Sequence, residues 1–132
     1  NGNNPSLLES LIDASIIDYI AMDIKTSFKN YHKACNVNVD LKKIQKSIDV
    51  IMQKSPDYEF RITAVPSLVT EIDIIDIAKN LSGAKKIYIQ QFYSHKTFDI
   101  NFQNIPSYTI EQLLHFQNIL KQSIQLVGLR GI

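Results

Sequence analysis

The sequence predicts an α/β fold in which parallel strands are joined by crossover helices and followed by a C-terminal helical tail. Three observations carry that expectation. Helical and strand-like segments alternate three times in order, the connections between them are short, and the strand-like runs are apolar enough to lie inside a parallel sheet. No repeat, linker or low-complexity tract interrupts the 132 residues, so residues 1–132 are expected to form a single domain.

Asn4 followed by Pro5 is a helix entrance, a side-chain cap and then a proline in the first turn. Leu7, Leu8, Leu11 and Ile12 then give residues 5–15 one apolar face. Residues 16–24 are mostly apolar on both parities, which predicts a strand covered on both faces. Residues 26–39 show no clear period and read as a loop with room for a short helical turn. Asp40 caps a second helix that carries Leu41, Ile44, Ile48, Ile51 and Met52, and Ser55-Pro56-Asp57 ends it. Tyr58 to Val65 is the next strand, closed by Pro66. Thr70 with Asp73 forms a capping box for a third helix, with Ile74, Ile75, Ala78 and Leu81 as its buried stripe. Gly83 stops that helix and Lys86 to Phe92 forms a third strand. Phe98, Ile100 and Phe102 then alternate like an extended segment. Thr109 with Gln112 opens a final helix expected to run to about Val127, with Ile110, Leu113, Leu114, Leu120 and Ile124 on its apolar face.

Composition narrows the function classes. A net charge of +1 offers no electrostatic reason to expect nucleic acid or an anionic membrane as partner. No apolar run approaches the roughly 20 residues that span a bilayer, and no signal-like segment opens the chain. Cys35 is the single cysteine, so no intrachain disulfide can form and a reducing cytoplasm is the expected compartment. The chain opens Asn1-Gly2-Asn3-Asn4-Pro5 without methionine, which reads as the start of a fragment.

In α/β sheets and barrels, ligands collect beyond the carboxyl ends of the strands. The first strand ends Met22-Asp23-Ile24-Lys25, and side chains two apart share a face, so Asp23 and Lys25 point the same way. The second carries Arg61 and Thr63 on one face, and the third places Gln90 and Phe92 on one face. A carboxylate, an ammonium, a guanidinium, an amide and an aromatic ring at three successive strand ends suit a small zwitterionic ligand. Asp23 would accept from its ammonium, Lys25 and Arg61 would hold its carboxylate, and Phe92 would lie against a flat heterocycle. Each residue also has a plain structural role to set against this one. Asp23-x-Lys25 alone is an ordinary solvated ion pair, Arg61 alone a rim salt bridge, and Phe92 alone a core residue. Their coincidence favours the site. His32, His95 and His115 have no Cys or His at metal-ligand spacing, and only His95 falls near the proposed pocket.

Five blocks in matching order resemble a known family: Asn1-Gly2-Asn3; residues 18–25, from Asp18 to Lys25; residues 58–66, from Tyr58 to Pro66; Gly83-Ala84-Lys85-Lys86; and Ile89-Gln90-Gln91-Phe92. The series, with the ending Leu129-Arg130-Gly131, resembles the radical S-adenosylmethionine (SAM) glycyl-radical activating enzymes. It is most similar to those of anaerobic ribonucleoside-triphosphate reductase, with the pyruvate formate-lyase activating enzymes next.

The resemblance implies the C-terminal half of a partial (β/α)6 radical SAM barrel. In the parent protein a 4Fe-4S cluster would reduce SAM, and the resulting 5′-deoxyadenosyl radical would take hydrogen from a glycine of the partner reductase. Carried over by position, Asp23 and Lys25 match residues that hold the polar end of SAM, directly or through a monovalent cation. Arg61 matches one that reaches its carboxylate or ribose, and Thr63 one that lines the pocket. Gln90 and Phe92 fall near the nucleoside, where some relatives have histidine in place of Phe92, and Asn1 lies beside the cation-binding turn. No catalytic residue and no metal ligand is assigned. The Cys-x-x-x-Cys-x-x-Cys loop that ligates the cluster, and the Gly-Gly-Glu strand that meets the SAM amino group, are both missing from the 132 residues. The expected partners are the reductase subunit and the N-terminal half-barrel. An edge left open at 17–24 or 86–92 would be covered by the 97–127 tail or paired with a second copy. Two alternatives stay open: the half-barrel of another radical SAM enzyme, and a self-associating β/α module without catalysis.

Overall fold

The computed structural model describes residues 2–35, 37–97 and 100–132, with Lys96 described at the backbone only. The expectations for Asn1 and Phe98 therefore lie outside the described residues.

Helix α1 (Pro5–Asp13) begins where the Asn4 side chain accepts from the Leu7 N–H at 3.2 Å. Strand β1 (Tyr19–Asp23) follows; a short 3₁₀ turn (Phe28–Asn30) and α2 (Tyr31–Cys35) occupy the stretch predicted as loop. Helix α3 (Leu41–Lys54) is capped by Asp40, which accepts from the Lys42 N–H at 3.0 Å. Strand β2 (Asp57–Ala64), helix α4 (Glu71–Asn80) behind the Thr70/Asp73 capping box, and strand β3 (Lys86–Gln91) complete the anticipated series. In α4 the buried stripe includes Ile74, Ile77 and Ala78, while Ile75 is 38% exposed. Gly83 ends that region at φ +84°, a left-handed conformation that a side chain would strain.

All strand pairs are parallel and the order is the order of the sequence, β1-β2-β3 and then a fourth strand. Right-handed crossovers between strands taken in sequence order return every helix to the same side, as in the wall of a (β/α) barrel. One sheet face is therefore packed. Ile20, Met22, Tyr58, Phe60, Ile62, Ile87 and Ile89 join Ile44, Ile48, Ile74, Ile77 and Leu113 of the helices in one core. The other face is open, and this corrects the expectation that the first strand is covered on both sides: Tyr19 and Ala21 are exposed while Ile20 and Met22 are buried.

The C-terminal region differs most. Helix α5 (Ile110–Leu120) is capped by Thr109 and Gln112 as expected, but it stops seven residues short of Val127. Leu126–Arg130 is instead strand β4, paired with β3 from Lys86↔Leu126 to Gln90↔Arg130. Backbone bonds from Gly83 to Ser123 (2.8 Å), from Gln125 to Ala84 (3.1 Å) and from Leu126 to Lys85 (3.0 Å) draw the chain out of the helix and onto the sheet edge. Ile124 keeps its helical phase by packing in the core, which is why periodicity alone extended the helix. Likewise Ile100–Phe102 is a 3₁₀ turn, with Ile100 74% exposed, and not an extended segment. The edge at 86–92 is thus covered by β4, whose Leu126 and Val127 are the last two residues of the tail expected to cover it. The outer edge of β1 has no strand partner among the described residues.

Gly128 lies under the Tyr88 ring, and a Cβ there would come within 2.4 Å of it. Gly128→Ala should therefore displace the ring and cost about 1–3 kcal/mol in urea unfolding. Adding Tyr88→Ala should recover part of the loss; an unchanged midpoint in the single variant would show that the ring is not packed there.

Candidate functional site

The open face is built from the odd positions of β1 and β2 and the even positions of β3 and β4. Register fixes two rows across it: Asp23, Arg61, Tyr88 and Gly128, then Thr63, Gln90 and Arg130 one step nearer the carboxyl ends. The face is polar because no helix covers it.

At the carboxyl end of β1 and β2, Asp23 Oδ1 accepts from Arg61 Nε at 2.8 Å and lies 2.8 Å from Nη2, and Oδ2 accepts from Lys25 Nζ at 3.2 Å. Partial burial alone would raise the Asp23 carboxyl; Lys25 and Arg61 outweigh it and hold the group below its ordinary value. The three side chains keep 34–45% of their surface exposed, so the cluster is open to solvent. Asp23, Lys25 and Thr63 line a cavity of about 180 Å³ with Ala34, Val65 and Leu68. Asp23 thus contacts Lys25 and Arg61, and Thr63 joins Asp23 and Lys25 at the cavity. Gln90 sits in the register row beside Thr63. Phe92 is buried at 7% and is outside the lining of this cavity. Past the end of β3 its N–H donates to Gln91 Oε1 and its carbonyl accepts from Ser107, so the chain beyond the strand absorbs it.

A second ionic group on this face was not anticipated. Glu59, only 5% exposed, accepts from Arg130 Nη1 and Nη2 at 2.7 Å each and from the Tyr19 hydroxyl at 2.7 Å. The Arg130 guanidinium lies 3.5 Å from the centre of the Tyr88 ring. The Arg130 hydrogen bonds hold the Glu59 carboxyl below its usual range. The pair spans β2 to β4 across Tyr88. Charged residues at the alternate positions Asp57, Glu59 and Arg61 are the available signal, but the partner of Glu59 lies on β4, a strand that periodicity does not reveal.

The segment that follows Asp23 is anchored to α4. Asp73, 2% exposed, accepts from the Ser27 hydroxyl, from Asn30 Nδ2 at 2.8 Å, from the Thr70 N–H at 2.9 Å and from the Thr70 hydroxyl at 2.7 Å. Asp76 accepts from the Phe28 N–H at 3.1 Å. Burial would raise the Asp73 carboxyl, but its four donors outweigh that and press it down to about 2. Among the described residues no group of three His, Cys, Asp or Glu side chains is arranged to hold a metal ion. Cys35 is a half-buried free thiol. His115 pairs with Glu71 at 3.2 Å on the surface, and His95 lies beside the Tyr93 ring and outside the cavity.

No family model matches the chain. Over 136 aligned positions the chain is 34% identical to a protein of Methanocaldococcus jannaschii named "Putative glycyl-radical enzyme activating enzyme". The alignment takes in the whole chain and 57% of that protein, so the chain spans a little over half the length of its relative. No helix among the described residues is long and apolar enough to cross a membrane.

The depressed Asp73 carboxyl makes a signed prediction. Its stabilising contribution is complete above the ordinary carboxylate value near 4 and disappears as pH falls through about 2. Urea unfolding across that window should therefore show a loss of stability in the wild type that Asp73→Asn flattens, with the variant weaker at neutral pH. Equal acid limbs in the two proteins would show that Asp73 is not so held.

Proposed function

We propose that the chain is the C-terminal half of a radical SAM activating enzyme that installs a glycyl radical on a partner enzyme, the partner being an anaerobic ribonucleoside-triphosphate reductase. The single observation that carries this is the Asp23–Lys25–Arg61 cluster at the carboxyl ends of two adjacent parallel strands. The likeness to a protein named as a glycyl-radical enzyme activating enzyme supports it along the whole chain.

The residues fit the polar end of SAM. Lys25 is the most exposed member of the cluster and holds Asp23 through one 3.2 Å contact, so it is the group that can yield. An amino group can take its place on Asp23, and Lys25 can turn to the carboxylate of the same ligand. Arg61 stays on Asp23 through Nε and offers its remaining donors. Thr63 and Gln90 extend the rim, and Phe92 would reach a nucleoside only by leaving its buried position. The cavity of about 180 Å³ is smaller than the roughly 300–1,000 Å³ of ordinary ligand pockets, which fits a pocket completed by other parts of the parent protein. The cluster does not fit this chain, because thiolate ligation needs at least three cysteines and one is present. Within the parent, SAM bound beside a cluster would supply the hydrogen-abstracting radical; the role of these residues is to hold its polar end. On this reading the outer edge of β1 is the seam where the N-terminal half-barrel joins. Pairing of that edge with a second copy is the rival use, and sedimentation of the chain alone separates the two.

Calorimetry tests the binding claim. The chain should bind SAM with a Kd weaker than about 1 μM, and Asp23→Ala or Arg61→Ala should weaken it a further ~10-fold or more. Sub-micromolar affinity would contradict the incomplete pocket, and an unchanged constant in Arg61→Ala would remove that residue from the site.

A further inference from the structure

The charged side chains of the open face form a ladder along β2. Asp57, Glu59 and Arg61 stand at alternate positions of that strand and share the face. Asp57 takes Lys86 at 2.8 Å, Glu59 takes Arg130 through two contacts of 2.7 Å, and Arg61 takes Asp23 at 2.8 Å. Neighbouring rungs are about 7 Å apart along the strand, within the reach of an arginine side chain. Which cation serves which carboxylate is therefore decided by competition.

Glu59 is the most demanding member of the ladder. It is 5% exposed, so water does little for its charge, and besides Arg130 it accepts from the neutral Tyr19 hydroxyl. Arg130 foremost, and then Arg61, are the cations that hold the Glu59 carboxyl low. Arg130 is well placed to do so, because its guanidinium lies 3.5 Å from the centre of the Tyr88 ring, which itself lies over Gly128. Arg61 and Asp23 are 34% and 38% exposed, and a contact of that kind changes hands at little cost. Lys86 is committed to Asp57 and lies 5.2 Å from the centre of the Tyr19 ring. Without Arg130, Glu59 would be a desolvated anion one rung from Arg61 and would draw that guanidinium away from Asp23.

We propose that Arg130 is a positioning residue for the ligand site: by saturating Glu59 it leaves Arg61 on Asp23, with donors free for a ligand carboxylate. The role rests on the Asp23 cluster being that site. With Arg130 in place, Asp23 faces both Lys25 and Arg61, so one positive charge is left over for an incoming carboxylate. Arg130 stands on β4, two strands from Arg61, and acts without touching the ligand. Its effect passes through the charge of Glu59 alone, so Glu59→Gln should make Arg130 dispensable for binding. An Arg130 that merely ties β4 to β2 predicts the opposite, since losing both ends of a tie restores nothing.

Two readouts on one set of variants test it: titration of the Asp23 carboxyl by NMR, and calorimetry with SAM. In Arg130→Gln the amide can still donate to Glu59 but brings no charge, so Arg61 should move to Glu59. The Asp23 carboxyl, held low by Lys25 and Arg61 against its partial burial, should then rise toward its ordinary value. SAM affinity should fall by up to about tenfold, the loss expected of Arg61→Ala. Adding Glu59→Gln should return both readouts to wild type. Arg130→Lys, with one point of contact in place of two, should show both changes in smaller degree and carries the test if Arg130→Gln does not fold. The proposal is overturned if Asp23 titrates alike in wild type and the Arg130 variants, or if the doubly substituted chain stays as weak as the single one. A chain that binds no SAM while Asp23 responds in this way would sink the SAM reading and still support the hold of Arg130 on Arg61.

Discussion

Strand order governs everything else in this molecule. With β1 to β4 parallel and in sequence order, every crossover of one hand returns its helix to the same side. One face of the sheet therefore receives the whole core, including Phe60, Ile62, Ile87 and Ile89 at 0% exposure. Burial of several such side chains, at about 1.5–3 kcal/mol each before chain entropy is subtracted, holds the strands in register. The opposite face is left to the side chains of alternate parity, among them Asp23, Glu59, Arg61, Tyr88, Gln90 and Arg130. An open surface with charged clusters arises on that face because the topology leaves it uncovered.

The two ionic groups on the open face differ in how deeply their carboxylates are held. Glu59 is nearly buried and fully engaged by Arg130 and Tyr19. Removing one partner from such a group strands a desolvated charge, so the contact ties β2 to β4 and is costly to open. Asp23, Lys25 and Arg61 are each more than a third exposed, and contacts of that kind exchange at little cost. Lys25 can therefore leave Asp23 at little cost, whereas Glu59, with 7% of its side chain exposed, depends on Arg130.

Asp73 links the helix layer to this surface. By accepting from Ser27, Asn30 and Thr70 it holds the segment after β1 against the start of α4. That segment leads into α2 and carries Lys25 and Ala34, which line the cavity beside Asp23. Asp73, together with Asp76 on the Phe28 N–H, thus holds this side of the Asp23 cluster in place.

By itself the sequence determined the helix starts at Asn4, Asp40, Thr70 and Thr109, the first three strands, and the sharing of a face by Asp23 with Lys25 and by Arg61 with Thr63. These are local: a cap acts over three or four residues and a strand's parity over two. Only the tertiary structure decided that a single sheet face is covered, that Leu126–Arg130 is a strand and that Phe92 is buried outside the cavity. It also decided that Arg130 closes on Glu59, 71 positions away. Those outcomes depend on which segments meet: the helical period that reaches Ile124 says nothing of Leu126–Arg130, which becomes a strand because the backbone groups of β3 offer it a ladder of hydrogen bonds.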